Sequence, residues 1–276
     1  MTAGQTLPAT TTEALDAALA ARIDTAEPLP VAFATGTFAR LLDNWLIHAR
    51  ATGVRQVMVV AMDARLAVPP SPDILVVNHR YDGTLHDLWV QRALVFAFLA
   101  DRGVDFVHSD VDAVWLKDPR LFCFADEGLD LVFSQGTNYP GAVWQIWGFV
   151  LCCGLFAVRA NARTAAFFSK ISALAARIPD DQVAVNALLA QHRTDWETTG
   201  QSATTLEVRG VPFRTFEQML FGTCEALNLR IGLIPHNRVP RLPVAGADAI
   251  ARHPLGPGDP VLKARVLRAV GCWKLP

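Results

Sequence analysis

Four short, near-continuous apolar runs constrain this chain more than anything else in it. They are residues 31–35 (VAFAT), 57–61 (VMVVA), 74–77 (ILVV) and 104–107 (VDFV). Between them, residues 38–52 and 85–102 carry apolar side chains at helical spacing and stop at Gly53 and Gly103. Strands without in–out alternation need cover on both faces, which is the condition of a parallel sheet with crossover helices. The first half therefore reads β-α-β-β-α-β. With 276 residues and 51% of them hydrophobic, the chain has material for one large α/β domain or two small ones and is not globally disordered.

In such sheets ligands bind outside the carboxyl ends of the strands. Thr35, Asp63 and the pair Asp110 and Asp112 all fall at such ends. The pair lies in SDVDAVWLKDP, and in an extended segment residues two apart face the same way. Two acids aimed at one spot are costly to desolvate unless a positive charge lies between them. A divalent cation, Mg²⁺ or Mn²⁺ with substrate phosphates as its other ligands, meets that need. A strand end meeting solvent or a helix N-terminus meets it too, and spacing alone leaves both open.

Elsewhere the pattern is looser. Residues 1–30 read as an N-terminal arm whose helix starts at Thr11, Thr12 and Glu13, runs to Ile23 and is ended by Pro28 and Pro30. A strand is expected at 129–134, then a loop at 135–147 rich in Gly, Asn, Pro and Trp. Its Tyr139, Trp144 and Trp147 either stack on a sugar or base or plug the core. A strand at 148–158, a helix at 164–177 and a helix to Ala190, N-capped by Asp180 or Asp181, follow. The last third offers short strands at 206–208, 213–216 and 231–234, an extended run at 235–243 and a helix at 260–270.

A net charge of -1 gives no bulk attraction to nucleic acid or an anionic membrane. No run approaches the roughly 20 apolar residues of a membrane span, and the start of the chain lacks the basic and apolar regions of a secretory signal. The five cysteines are an odd number without metal-site spacing, and Cys152 and Cys153 sit inside an apolar run. Buried reduced thiols, and hence a cytoplasmic protein, are expected.

Residues 110–119, DVDAVWLKDP, resemble a signature of nucleotide-sugar glycosyltransferases that include plant cell-wall xylosyl- and arabinosyltransferases, Asp-Val-Asp-x-x-Trp-Leu-(Arg/Lys)-Asp-Pro. Other segments are similar in the same order: Asn44-Trp45-Leu46 with the strand ending at Asp63, Cys153-Gly154 with Arg159, Asp181-Gln182 with Asn186, and His253-Pro254 with Lys263. The likeness covers residues 31–275, weakly in 191–245. It implies a GT-A fold, a Rossmann-like, mixed and mostly parallel sheet flanked by helices. Residues 31–276 would form one domain, with 31–120 the nucleotide-binding half and 121–276 the acceptor half.

The resemblance also implies a metal-dependent retaining transfer from a nucleotide-diphosphate sugar, UDP-linked, to a hydroxyl acceptor. By it, Asp110, Asp112 and His253 hold Mn²⁺ (or Mg²⁺), with Asp110 also on the donor. Lys263 and Arg92 serve the diphosphate, Thr35 and Asp63 line the nucleotide pocket, and Asp181 and Gln182 sit near the reacting sugar. The chain departs from the pattern at Cys153, where the family has Asn, and at Gln91-Arg92, where it has Lys. Arg offers a planar fork in place of a point charge. The alternative expectation is a weak or inactive nucleotide-sugar-binding protein on the same fold, for which Cys153 is the best support.

Overall fold

The computed structural model describes residues 6–178, 180–242, 248–256 and 258–276. The elements are α1 (Ala9–Ala20), β1 (Leu29–Ala34), α2 (Ala39–Ala51), β2 (Val57–Ala61), β3 (Ile74–Asn78), α3 (Leu85–Asp101), β4 (Phe106–Ser109), β5 (Val114–Trp115) and α4 (Arg120–Cys123). Then come β6 (Leu131–Gln135), α5 (Gly141–Trp147), β7 (Leu151–Val158), α6 (Ala162–Ala175), α7 (Asp181–Gln191), β8 (Asp195–Trp196) and β9 (Ala203–Val208). The chain ends with β10 (Val211–Phe216), β11 (Leu220–Cys224), β12 (Leu229–Ile234), β13 (Ala251–Arg252) and α8 (Pro260–Ala269).

Nine strands form one sheet in the order β3-β2-β1-β4-β7-β6-β12-β11-β8. From β3 to β4 the neighbours run parallel, and β7 then enters antiparallel between β4 and β6. This is the mixed, mostly parallel sheet flanked by helices that the sequence led us to expect. The continuous apolar runs have a direct physical reason. Val31 and Phe33 of β1 join the core beneath α1, α3 and α6, while Ala32 and Ala34 join the core beneath α2 and α8. Met58 and Val60 of β2 divide from Val57, Val59 and Ala61 in the same way. Alternation persists, but both faces are apolar.

Within the first core, Phe96 of α3 packs on Phe33, Phe106, Phe156 and Phe168, with ring centroids 5.1–5.5 Å apart. His108 of β4 joins the same cluster at 5.0 Å from Phe96, so a polar ring near the strand's carboxyl end is fixed by apolar packing.

Several expectations need correction. α1 begins at Ala9 without a side-chain cap and ends at Ala20. Its Thr11 is buried and hydrogen-bonds His79 beyond β3 at 2.8 Å, so that threonine docks the helix on the core and does not cap it. Pro30 lies within β1, before the pairing with β2 begins at Val31, a position a strand tolerates. Residues 141–147 are helical, not loop, between the extended Pro140 and the left-handed Gly148. The run expected as extended from 235 is a turn, with Arg238 N donating to Pro235 O at 2.9 Å; residues 243–247 lie outside the described part. Among the described residues no helix is long and apolar enough to cross a membrane.

Candidate active site

β4 delivers Asp110 and Asp112 to the sheet's carboxyl edge, though not as an extended pair. Asp110 N donates to Gly154 O of β7 at 2.7 Å, and the chain then turns, Ala113 N donating to Asp110 O at 2.9 Å. The carboxylates converge through a turn, where strand alternation was expected. Ser109 supports it: its hydroxyl donates to Ala113 O at 3.0 Å and accepts from the indoles of Trp45 (3.0 Å) and Trp115 (3.1 Å). The Trp of the signature is therefore a buried prop beneath the acid turn, packed edge-on against Trp45 at 5.4 Å. Asp118 takes the backbone N–H (3.0 Å) and guanidinium of Arg120 and ends the segment.

On one flank stands Arg92 of α3, 5% exposed. Its Nη1 lies 3.2 Å from Asp110 Oδ1 and its Nη2 3.2 Å from Asp181 Oδ2. Nη2 also donates to His108 Nε2 at 2.8 Å, while His108 Nδ1 faces Val31 O at 3.2 Å. A carbonyl takes only a donor, so the neutral ring carries its proton on Nδ1 and accepts from Arg92. Burial and then the Arg92 charge hold His108 down to about 4, so it is neutral near pH 7. Trp89 and Phe33 lie 4.8 and 5.6 Å from the guanidinium. Burial pushes Asp181 up to about 6, against the pull of Arg92 and with Asp110 and Asp180 nearby.

The other flank arrives from the far end of the chain. β13 pairs with β5 through Ala251↔Trp115 and Arg252↔Val114, which places the buried His253 against the acid turn. His253 Nε2 lies 3.6 Å from Asp112 Oδ1 and 3.9 Å from Asp110 Oδ2. Lys263 of α8, whose first turn is capped by Asp259, sets its ammonium on Asp112 Oδ2. A Cβ on Gly154 would lie 2.0 Å from His253 Cε1 and 2.9 Å from Asp110 Oδ2, so the ring fits only over a glycine. The β6–β7 register jump makes this room: Phe133 pairs with Phe156, but Ser134 pairs with Cys152.

One ligand atom each from Asp110, Asp112 and His253 falls within 4.8 Å of the others. Two carboxylates and an imidazole are a donor set that fits a divalent cation of the Mn²⁺ or Mg²⁺ type. Burial opposes ionisation of both acids. The Arg92 charge overcomes it at Asp110, and His253 and Lys263 at Asp112, so both stay well below the usual carboxylate range. Ligands must be deprotonated to bind, and these two are.

A cleft of about 300 Å³ opens beside the cluster, lined among others by Thr35, Phe38, Met62, Trp89, Arg92, Asp110, Asp112 and Lys263. Thr35, Arg92, both acids and Lys263 are thus brought together. Asp63 is not. Its carboxylate accepts from the N–H groups of Gly36 (3.0 Å), Arg65 (3.0 Å) and Leu66 (3.2 Å), clamping the β1 and β2 ends. Asp181 stands behind Arg92 as the first residue of α7, and Asp180 is the N-cap, accepting from Val183 N at 2.9 Å. Gln182 bridges Tyr139 O (2.8 Å) and Cys153 N (3.3 Å). Asn186 bonds both the N–H and the carbonyl of Leu151 at 2.9 Å, pinning the start of β7.

The aromatic segment divides. Trp147 packs on Phe149 and Trp196, Trp144 holds Pro212 O at 2.8 Å, and Tyr139 stays 54% exposed with its hydroxyl 3.2 Å from Asp180. Sequence reasoning missed His108, two residues before Asp110 and hence legible as sharing its face. It also missed Arg241 and Cys152, for which no pattern pointed to the site. Burial works against the Cys152 thiol's ionisation, but Arg241 and His253 bring it down to about 7.

Comparison with known proteins bears on this arrangement. Among curated proteins none matches the sequence. Solved structures that resemble the chain include the galactosyltransferase LgtC in complex with donor and acceptor sugar analogs, at 13% identity over 58% of this chain and 70% of that one, TM-score 0.44. Mouse xyloside xylosyltransferase 1 is similar at 12% identity over 60% and 75%, TM-score 0.32. The WbbM bifunctional glycosyltransferase is similar at 10% identity over 59% and 38%, TM-score 0.40. The nucleotide-diphospho-sugar transferase family profile matches residues 52–240, well over half of the sequence, and the chain belongs to that family.

Proposed function

We propose that the protein is a metal-dependent, retaining glycosyltransferase that moves a sugar from a nucleoside-diphosphate donor, a UDP-sugar, to a hydroxyl acceptor. The observation that carries this reading is the Asp110–Asp112–His253 cluster, whose two acids line a cleft that also holds Lys263. A divalent cation bound there, Mn²⁺ or Mg²⁺, would neutralise the charge that builds on the departing diphosphate. Lys263 turns its ammonium from Asp112 to the same phosphate oxygens and adds a fixed positive charge. Phe38, Met62 and Trp89 give the cleft the apolar face that a nucleobase needs, and Thr35 offers a hydroxyl at its edge.

Arg92 acts through the acids. Its fork, divided between Asp110 and Asp181, orients both carboxylates. Asp181, with Gln182 beside it, supplies negative charge and a held carboxamide where positive charge grows on the anomeric carbon. Asp110 and Asp112 belong to the cation cluster and Asp181 is paired to Arg92. That leaves the leaving phosphate as the base for front-face attack by the acceptor, which retains configuration. Residues 31–120 hold the nucleotide and residues 121–276 the acceptor in this scheme, with His253 and Lys263 reaching back across.

The test is transfer, scored against free sugar release, across a set of UDP-sugars with Mn²⁺. Asp112→Ala is expected to lose at least about a hundredfold in transfer, the scale of removing one charge-stabilising group. Full metal-dependent turnover by that variant sinks the assignment. UDP and Mn²⁺ binding in a parent protein that transfers nothing would favour an inactive binder.

A further inference from the structure

A histidine that ligates a cation through one ring nitrogen must carry a proton on the other, and that proton needs an acceptor. At His253 the nitrogen facing the carboxylates is Nε2, 3.6 Å from Asp112 and 3.9 Å from Asp110. Nδ1 faces Cys152 Sγ at 3.6 Å, and Arg241 Nη1 lies beside the ring, 2.5 Å from Nδ1 and 3.2 Å from Nε2. A guanidinium has five N–H donors and no acceptor. Among the described residues, the sulfur is therefore the acceptor that the structure sets within reach of Nδ1. It is itself held in place: Arg241 Nη1 donates to it at 2.9 Å and Gly154 N at 3.4 Å, and Cys152 is 1% exposed. The β6–β7 register jump falls at this residue, which pairs with Ser134, and it lets the start of β7 present the sulfur at the back of the ring.

We infer that Cys152 is a positioning residue for the cation site: its sulfur takes the Nδ1 proton of His253 and so turns the Nε2 lone pair toward Asp110 and Asp112. The inference rests on the proposed cation reading. When Nε2 ligates, neither ring nitrogen accepts from Arg241, and among the described residues the guanidinium keeps its bond to the sulfur. A buried cysteine in an apolar strand thereby gains a duty that its neighbour Cys153, whose backbone N–H meets Gln182, does not share.

The experiment is a calorimetric titration of Mn²⁺ into the parent protein and three variants, Asp112→Ala, Cys152→Ala and Cys152→Ser, with melting temperatures recorded without metal. Outer-sphere partners of ligating histidines typically contribute about 10- to 100-fold in affinity. Cys152→Ala is expected to weaken Mn²⁺ about tenfold while still melting in one cooperative transition without metal, and Cys152→Ser, which keeps an acceptor, to stay within about threefold of the parent. Parental affinity in Cys152→Ala, with binding still abolished by Asp112→Ala, overturns this inference and leaves the cation reading standing. Failure of the parent itself to bind Mn²⁺ overturns both. A readout independent of any variant is the ¹⁵N signature of His253 in the Mg²⁺-loaded parent. A proton on Nδ1 with a bare Nε2 is expected, and the reverse tautomer overturns the proposal.

Discussion

The two flanks of Asp110 and Asp112 are built differently. Arg92 and His108 come from α3 and β4, a contiguous stretch in which His108 is fully buried and its ring packs on Phe33, Phe96 and Phe156. His253 and Lys263 come from the last quarter of the chain, attached to the acid turn through the two-residue pairing of β13 with β5. One flank belongs to the nine-stranded sheet and its first core; the other packs into the second core through Ala251, Ala264 and Leu267 but adds no strand to that sheet. The two halves of the site thus differ in how they are tied to the sheet.

The largest expected effect tests the amino-terminal flank. Arg92→Ala leaves Asp110 and Asp181 without their shared partner, and His108 loses its donor. Breaking a buried ion pair from one side costs about 3–5 kcal/mol, read as a lower urea midpoint with an unchanged slope. If the midpoint barely moves, the amino-terminal flank is not the rigid half. With the expected loss, Arg92→Lys should recover only part of it, because an ammonium does not span both carboxylates as the fork does.

The second effect tests the carboxy-terminal flank by pH. His236, 2% exposed, accepts from Arg241 N at 3.1 Å, and burial followed by the Arg241 charge holds it down to about 4 from the ordinary 6.5. The folded ring stays neutral where the unfolded one protonates, so the unfolded state binds more protons between these values. Stability present above pH 6.5 is lost as the pH falls toward 4, by roughly 3 kcal/mol. His108 bends the parent's profile in the same direction, so the contribution is isolated by difference. His236→Gln should flatten the chemical-denaturation profile across that window. An identical profile would show that this segment does not keep His236 neutral.

The contrast between flanks is also a contrast in legibility. β2 was readable to the residue because a sheet buried on both faces writes continuous apolar runs, and Gly53 and Gly103 close their helices with φ of 87° and 69°. Asp110 and Asp112 were legible as a pair, but their turn was not, because it depends on Ser109 bridging to Trp45 and Trp115 across the core. α5 was hidden since seven residues span two turns and show no period. β11 alternates buried and half-buried residues with a glycine at its centre, and it was missed. His253 entered as a cation ligand only through a resemblance: a two-residue pairing leaves no pattern in sequence, and a cysteine's acceptor role depends entirely on what folds against it.

Gly154 is where the flanks meet, and it sharpens the comparison at the smallest cost in stability. A methyl group there would clash with the His253 ring on one side and approach Asp110 Oδ2 on the other, at 2.0 and 2.9 Å. Overpacking of this kind costs typically about 1–3 kcal/mol when neighbours have to shift. Which neighbour yields is decided by how each is held. Asp110 is tied by its own N–H to Gly154 O at 2.7 Å and by Arg92, whereas His253 follows the short β13 pairing and its N–H reaches Pro240 O at a longer 3.3 Å. The ring should therefore move, so Gly154→Ala is expected at the low end of that range in a urea melt while its Mn²⁺ affinity falls at least about tenfold. A variant with a strongly lowered midpoint but parental Mn²⁺ affinity would mean that the sheet side had given way, and the assignment of rigid and movable flanks would have to be reversed.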